Sequence, residues 1–191
     1  MLERAEALAD AFPGRVIYLL GNHEHAHVGG PVVSKFFSDE AERLERLMGP
    51  RRSAFVRRWL LRWPIVAHAP SCGLLFVHGA PKPRIDSADD IERAKLSPGE
   101  GVVDPIISDL LWARTASTAQ ARAFMRSIDP SLRVAVYGHD VAREGYAIDR
   151  EPLLCVSTSF GCFDGDKLYL DWDLSQPVTS ARDLAARGLK P

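Results

Sequence analysis

The chain has 191 residues, 46% of them hydrophobic and 26% charged, with a formal net charge of −1 at pH 7. That suits one soluble globular domain with a real core, and the near-zero charge argues against nucleic acid or membrane as a bulk electrostatic partner. Cys72, Cys155 and Cys162 are odd in number and form no CxxC pair, so a disulfide framework is not expected and a reducing, cytoplasmic setting is the simple expectation. No apolar run approaches a membrane span, and Met1 to Glu6 lacks the apolar centre of a signal peptide.

In chain order, Leu2, Ala5, Leu8 and Phe12 share one helical face, and Pro13-Gly14 stops that helix. Val16 to Leu20 is a continuous apolar run and reads as a strand buried on both faces, ending at Gly21-Asn22-His23-Glu24. Val33, Phe36, Phe37, Leu44, Leu47 and Met48 predict a second helix that ends at Gly49-Pro50. Phe55, Trp59 and Trp63 predict a third, broken by Pro64. Ile65–Ala69 and Leu74–Val77 form a predicted hairpin across Ser71-Cys72-Gly73. Lys82 to Asp109 reads as loop with one short helix near Ala88 to Lys95. Ala119 to Ile128 is helical, and Val134–Tyr137 is another buried strand. Short strands follow near Gly145–Ile148, Leu153–Ser157 and Lys167–Trp172. The sum is one mixed α/β domain over residues 1–191.

Three of these strands end in a loop that holds a metal-capable side chain. Val16–Leu20 delivers Asn22 and His23, Leu74–Val77 delivers His78, and Val134–Tyr137 delivers His139. Glycine stands beside the polar group each time (Gly21, Gly79, Gly138), as a tight turn or a close ligand approach needs. If the strand ends are neighbours, one amide oxygen and two imidazoles converge, a set suited to Mn²⁺, Fe²⁺ or Zn²⁺.

Gly21-Asn22-His23-Glu24 matches the GNHE motif of the serine/threonine phosphoprotein phosphatases. Val77-His78-Gly79-Ala80 resembles their VHGG segment, and Asp109-Leu110-Leu111-Trp112 matches their DLLW. Gly138-His139, followed by Glu144-Gly145-Tyr146, resembles their third metal-binding histidine and the EGY after it. Ser157 to Asp173 looks like their final sheet segment. In this order, the segments make the chain resemble the calcineurin-like metallophosphoesterases, most nearly the serine/threonine phosphatases.

The resemblance implies a metallophosphatase-like four-layer sandwich, two mixed β-sheets flanked by helices. It implies that Asn22, His78 and His139 bind the second of two divalent ions, Mn²⁺ in first place with iron or zinc as alternatives. His23 would be the general acid that protonates the leaving alkoxide, and Glu24 would brace the loop. Two metals would activate water for in-line attack on a phosphorylated protein or a small phosphoester. A guanidinium should also clamp the phosphate, and Arg114, two residues after Trp112, is the candidate.

The family's GDxH and GDxxDRG motifs, which should precede the opening helix, are matched by no segment here. The expectation is a fold incomplete at its amino-terminal side, without the usual first β-α-β portion, truncated or completed by a partner chain. Three ligands without the bridging carboxylate should hold at most one ion, weakly. The alternative to an enzyme is a non-catalytic relative that binds a phosphorylated or acidic partner without turning it over.

Other residues have plainer readings. His25 and His27 alternate beyond the motif and are expected to be solvent-exposed. His68 lies inside a strand and is expected to be structural. Arg51 to Arg62 reads as a solvated helix face with snorkelling arginines. Asp164, Asp166, Asp171 and Asp173 lack the order of an EF-hand. Cys155 and Cys162 are expected to be small core residues.

Overall fold

Two runs of four apolar residues, Leu74–Val77 and Val134–Tyr137, form the centre of the main sheet, as strands covered on both faces require. The protein is seen here as a computed structural model that describes residues 2–35, 38–96, 103–156, 164 and 167–191. Its elements in chain order are α1 (Leu2–Ala11), α2 (Asn22–His27), β1 (Ser34–Lys35), β2 (Ser38–Asp39) and α3 (Glu40–Leu60). Then follow β3 (Val66–Ala69), β4 (Leu74–Val77), α4 (Ala88–Arg93), α5 (Pro105–Trp112) and α6 (Thr118–Ile128). The chain continues with β5 (Val134–Tyr137), β6 (Tyr146–Ala147), β7 (Leu153–Val156), β8 (Tyr169–Leu170), α7 (Ala181–Gly188) and β9 (Leu189–Lys190).

The main sheet has five strands in the order β3-β4-β5-β7-β6. Its β3–β4 and β6–β7 pairs are antiparallel, and β4–β5 and β5–β7 are parallel. Side chains alternate across it. Leu74, Val134, Val136 and Leu154 pack with Ala181 and Leu184 of α7. Leu75, Val77, Ala135, Tyr137 and Leu153 pack on the other face with Ala121, Phe124 and Met125 of α6. A third cluster joins Leu20 to Val56 and Leu60 of α3 and to Ile107 and Leu111 of α5. The β8–β9 pair forms a small antiparallel sheet, and β1–β2 forms another.

Local chemistry sets the helix starts. Asp39 caps α3 by accepting from the Glu42 amide at 3.0 Å. Asp104 caps α5, with Pro105 in its first turn, and Ser117 and Gln120 form a capping box at α6. The turn between β3 and β4 uses Gly73 at φ 81°, a left-handed value that glycine adopts without a Cβ clash.

The hairpin, α1, α4, α6, β5 and β7 follow the sequence-based expectations. Several expectations need correction. Val16–Leu20 makes no ladder: among the described residues only the Leu20 amide is tied across, to the Pro64 carbonyl at 2.9 Å. Leu20 is fully buried but Ile17 is 61% exposed, because an apolar run becomes a two-sided strand only where strands pair on both sides. The second helix begins at Glu40, since the Asp39 cap fixes its start; Val33 lies outside it, and Phe36 and Phe37 lie outside the described residues. It continues past Gly49 (φ 75°) through a kink into the third. Residues 105–112, expected as loop up to Asp109, are the helix α5, and α7 was not anticipated. Trp63 falls just beyond α3.

Candidate metal centre

Parallel register brings two histidines together. Leu74, Leu75 and Phe76 of β4 lie opposite Val134, Ala135 and Val136 of β5, so the next residues leave the sheet side by side. The Gly138 amide donates to the His78 carbonyl at 3.0 Å and holds the two exits in step. His78 and His139 follow directly, at the carboxyl end of parallel strands, where α/β proteins place their ligands. The third contributor, Asn22, is 6% exposed and opens α2, with Gly21 as its N-cap. The expected loop at Asn22–His23 is therefore the first turn of a helix.

The three side chains meet. His78 Nε2 lies 2.9 Å from Asn22 Oδ1 and 3.0 Å from His139 Nδ1. Gly21 is needed for this approach: a Cβ there would come within 3.1 Å of the His78 ring and 2.5 Å of Glu24 Oε2. Burial, then the neighbouring His139 and His23, push the His78 pKa down to about 4. Burial and the Arg114 charge lower that of His139 as well. Both rings are therefore neutral near pH 7, the state a ligand must be in.

The donor set fits a divalent cation. An amide oxygen and two ring nitrogens converge, and Oδ1 can only accept. One proton on His78 Nε2 cannot serve both neighbours well, whereas a cation satisfies all three lone pairs. Donors about 2.1 Å from one ion and at right angles to each other lie roughly 3.0 Å apart, the spacing seen. Among the described residues no carboxylate or thiol joins the two histidines: no group of three or more His, Cys, Asp or Glu is gathered anywhere.

His23, next to Asn22, points its Nδ1 at Glu40 Oε2 across 3.1 Å, with a side chain 45% exposed. Nε2 is the ring nitrogen that Glu40 does not engage. Arg114 pairs with Asp140 at 2.6 Å, so the expected phosphate clamp lies close enough to His139 to lower its pKa but carries a carboxylate partner.

Three histidines depart from expectation. His25 is fully buried, not exposed. Its Nε2–H donates to the Leu96 carbonyl at 2.7 Å, and its Nδ1 accepts from Trp112 Nε1–H at 3.3 Å. Once Asn22 starts a helix, His25 falls on its inward face, one turn on. His27 contacts Glu45 of α3 at 2.8 Å and is mostly covered, 11% exposed, for the same reason. His68, expected to be structural, faces solvent on β3. Cys72 and Cys155 are buried thiols, and Cys162 and Asp166 lie outside the described residues.

The α5 helix, missed in the sequence, holds the centre together. Its last-turn carbonyl at Leu110 accepts from the Gly79 amide at 2.7 Å, and the Ala113 carbonyl accepts from Ala80 at 2.7 Å. A Cβ on Gly79 would stand 2.9 Å from the Leu110 oxygen, which is why glycine follows His78. Through Trp112 the same helix grips His25 and hence α2. The signal was present in Asp104-Pro105, a cap followed by proline at the first turn.

Comparison with known proteins identifies the family and the fold. The model of the calcineurin-like phosphoesterase family (Metallophos) matches residues 2–171. Among solved structures, a protein serine/threonine phosphatase from Saccharomyces cerevisiae with similarity to human phosphatase PP5 is similar, at 16% identity and a TM-score of 0.57. The match covers 81% of this chain and 51% of that one, so the chain spans about half the length of that phosphatase. No curated protein sequence matches. The mixed sheet, the small second sheet and the flanking helices are those of a metallophosphatase fold, and the chain belongs to the calcineurin-like phosphoesterase family.

Proposed function

We propose that this chain is one domain of a metal-dependent phosphomonoesterase that acts on a phosphorylated protein or a small phosphoester. The observation that carries the reading is the meeting of Asn22 Oδ1, His78 Nε2 and His139 Nδ1 within 2.9–3.0 Å of His78. These residues would hold one divalent ion, and a mixed imidazole and amide-oxygen set suits Mn²⁺, with iron or zinc as alternatives. When bound in a two-ion site, such ions stabilise charge on the phosphoryl oxygens and make water a nucleophile at neutral pH. His23 is the proton donor to the leaving alkoxide: Glu40 orients its Nδ1 and leaves Nε2 to deliver the proton. Arg114 binds the phosphate, exchanging its Asp140 contact for phosphoryl oxygens.

In this reading the anionic ligands of a second ion come from outside the described residues, in the same chain or in a partner. What supports this is the uncharged donor set among the described residues. The test is hydrolysis of an aryl phosphate with Mn²⁺ by this domain joined to, or mixed with, the polypeptide that carries those ligands. His78→Ala and His139→Ala should each remove turnover. Turnover unchanged by His78→Ala would overturn the reading.

A second reading is favoured by one feature, the lack of a carboxylate beside the three donors among the described residues. It is a binding module that recognises a phosphorylated or acidic partner without hydrolysis. It predicts partner binding that persists in chelator, which the enzyme reading does not.

A further inference from the structure

The opposite end of the main sheet carries a second concavity with a different chemistry. A cavity of about 490 Å³ opens where α6 ends, β5 and β7 begin and α7 begins. Arg122, Arg126, Arg133 and Arg182 line it, and Glu151 is the one carboxylate among its lining residues. That carboxylate is already engaged: it caps α7, accepting from the Ala181 amide at 2.8 Å and the Arg182 amide at 3.2 Å. It forms no ion pair with any of the four arginines. Arg133 spends part of its guanidinium on the Pro130 and Leu132 carbonyls, at 2.7 and 3.1 Å. Among the described residues, the Arg122, Arg126 and Arg182 side chains have no hydrogen-bond or ion-pair partner.

We propose that this cavity is a binding site for a small anion that carries two or more phosphate groups. Four guanidiniums from three separate stretches of chain around one hollow are mutually repulsive in a protein of net charge −1. A polyanion relieves that repulsion and uses the planar fork of each arginine against phosphate oxygens. The volume falls within the range of small-molecule sites. No aromatic ring lines the cavity, so it offers a nucleobase nothing to stack on, and the phosphate groups are the recognised part. The site is separate from the metal centre. Leu132 borders the cavity and His139 follows β5 at the far end, which places them roughly 20 Å apart at ~3.3 Å per extended residue. The proposal therefore does not depend on the catalytic reading.

The experiment is a calorimetric titration of tripolyphosphate into the full chain, with EDTA present so that metal chelation contributes nothing, at about 150 mM salt. One site per chain is expected. Arg122→Ala/Arg126→Ala on α6 and, independently, Arg182→Ala on α7 should each weaken it about tenfold or more, consistent with loss of charge-assisted contacts. Arg62→Ala, at an exposed arginine that does not line the cavity, should leave it unchanged. Three results would each overturn the proposal: no binding at this salt, an equal loss in Arg62→Ala, or equal affinity for citrate, which brings comparable charge without phosphate.

Discussion

At the residue scale, the centre depends on neutral imidazoles held at close quarters. His78 is driven to a pKa of about 4 by burial and by its histidine neighbours, and burial lowers His25 as well. A histidine whose folded pKa lies below the ordinary 6.5 takes its proton first in the unfolded chain. The stability it contributes is therefore complete above about pH 6.5 and is lost as pH falls toward 4. For His78 this is worth ~3 kcal/mol at most. Urea midpoints measured in EDTA should drop between pH 7 and pH 4.5, and less steeply in His78→Gln. An equal slope in that variant would show that His78 is not the buried neutral group described here. For His25 the acid form is disfavoured by contact chemistry too, because a proton on Nδ1 would face the Trp112 N–H.

At the scale of elements, α5 links two of the three segments that carry the candidate donors. It receives the amides of Gly79 and Ala80 at its end and reaches α2 through Trp112 and His25. Trp112→Phe keeps an aromatic ring but removes the N–H and part of the packed indole, so it should cost about 1 kcal/mol or more in a denaturation series. It should also weaken Mn²⁺ binding although it touches no ligand. Gly79→Ala forces a methyl against two backbone oxygens, and a loss of roughly 1–3 kcal/mol is expected, read as a lowered urea midpoint. If either variant bound Mn²⁺ and unfolded as the parent does, the brace would be ruled out. The nearness of His78 and His139 was legible in sequence, because an apolar strand that ends in glycine and histidine is a local pattern. The same was true of the hairpin and of β5, whose apolar runs have one interpretation. His25 was not legible as a buried residue, since its inward face exists only once Asn22 begins a helix. Nor was the Glu40 contact to His23, which is a meeting of two helices distant in sequence. The run Val16–Leu20 shows the limit from the other side: its pattern is that of a strand, but pairing is decided by neighbours and not by the run itself.

At the scale of the whole molecule, one five-stranded sheet presents two unlike ends. The carboxyl ends of β4 and β5 gather uncharged donors, and the opposite end gathers arginines. Helices α6 and α7 cover the two faces between them, with Phe124 and Leu184 almost wholly buried. Phe124→Ala should cost ~3–5 kcal/mol through the cavity it leaves, and a loss of under 1 kcal/mol in a urea series would place the core elsewhere. The central claim concerns the first of these ends: three neutral donors form a site for one divalent ion and not for two. The direct measurement is Mn²⁺ bound per chain at equilibrium, made on the 191-residue chain and on His78→Ala, with aryl phosphate hydrolysis followed in the same samples. The account predicts at most one weakly held ion, lost in His78→Ala, and no turnover by this chain alone. Two tightly held ions with turnover that His78→Ala removes would contradict it, for the second ion's ligands would then lie within the chain.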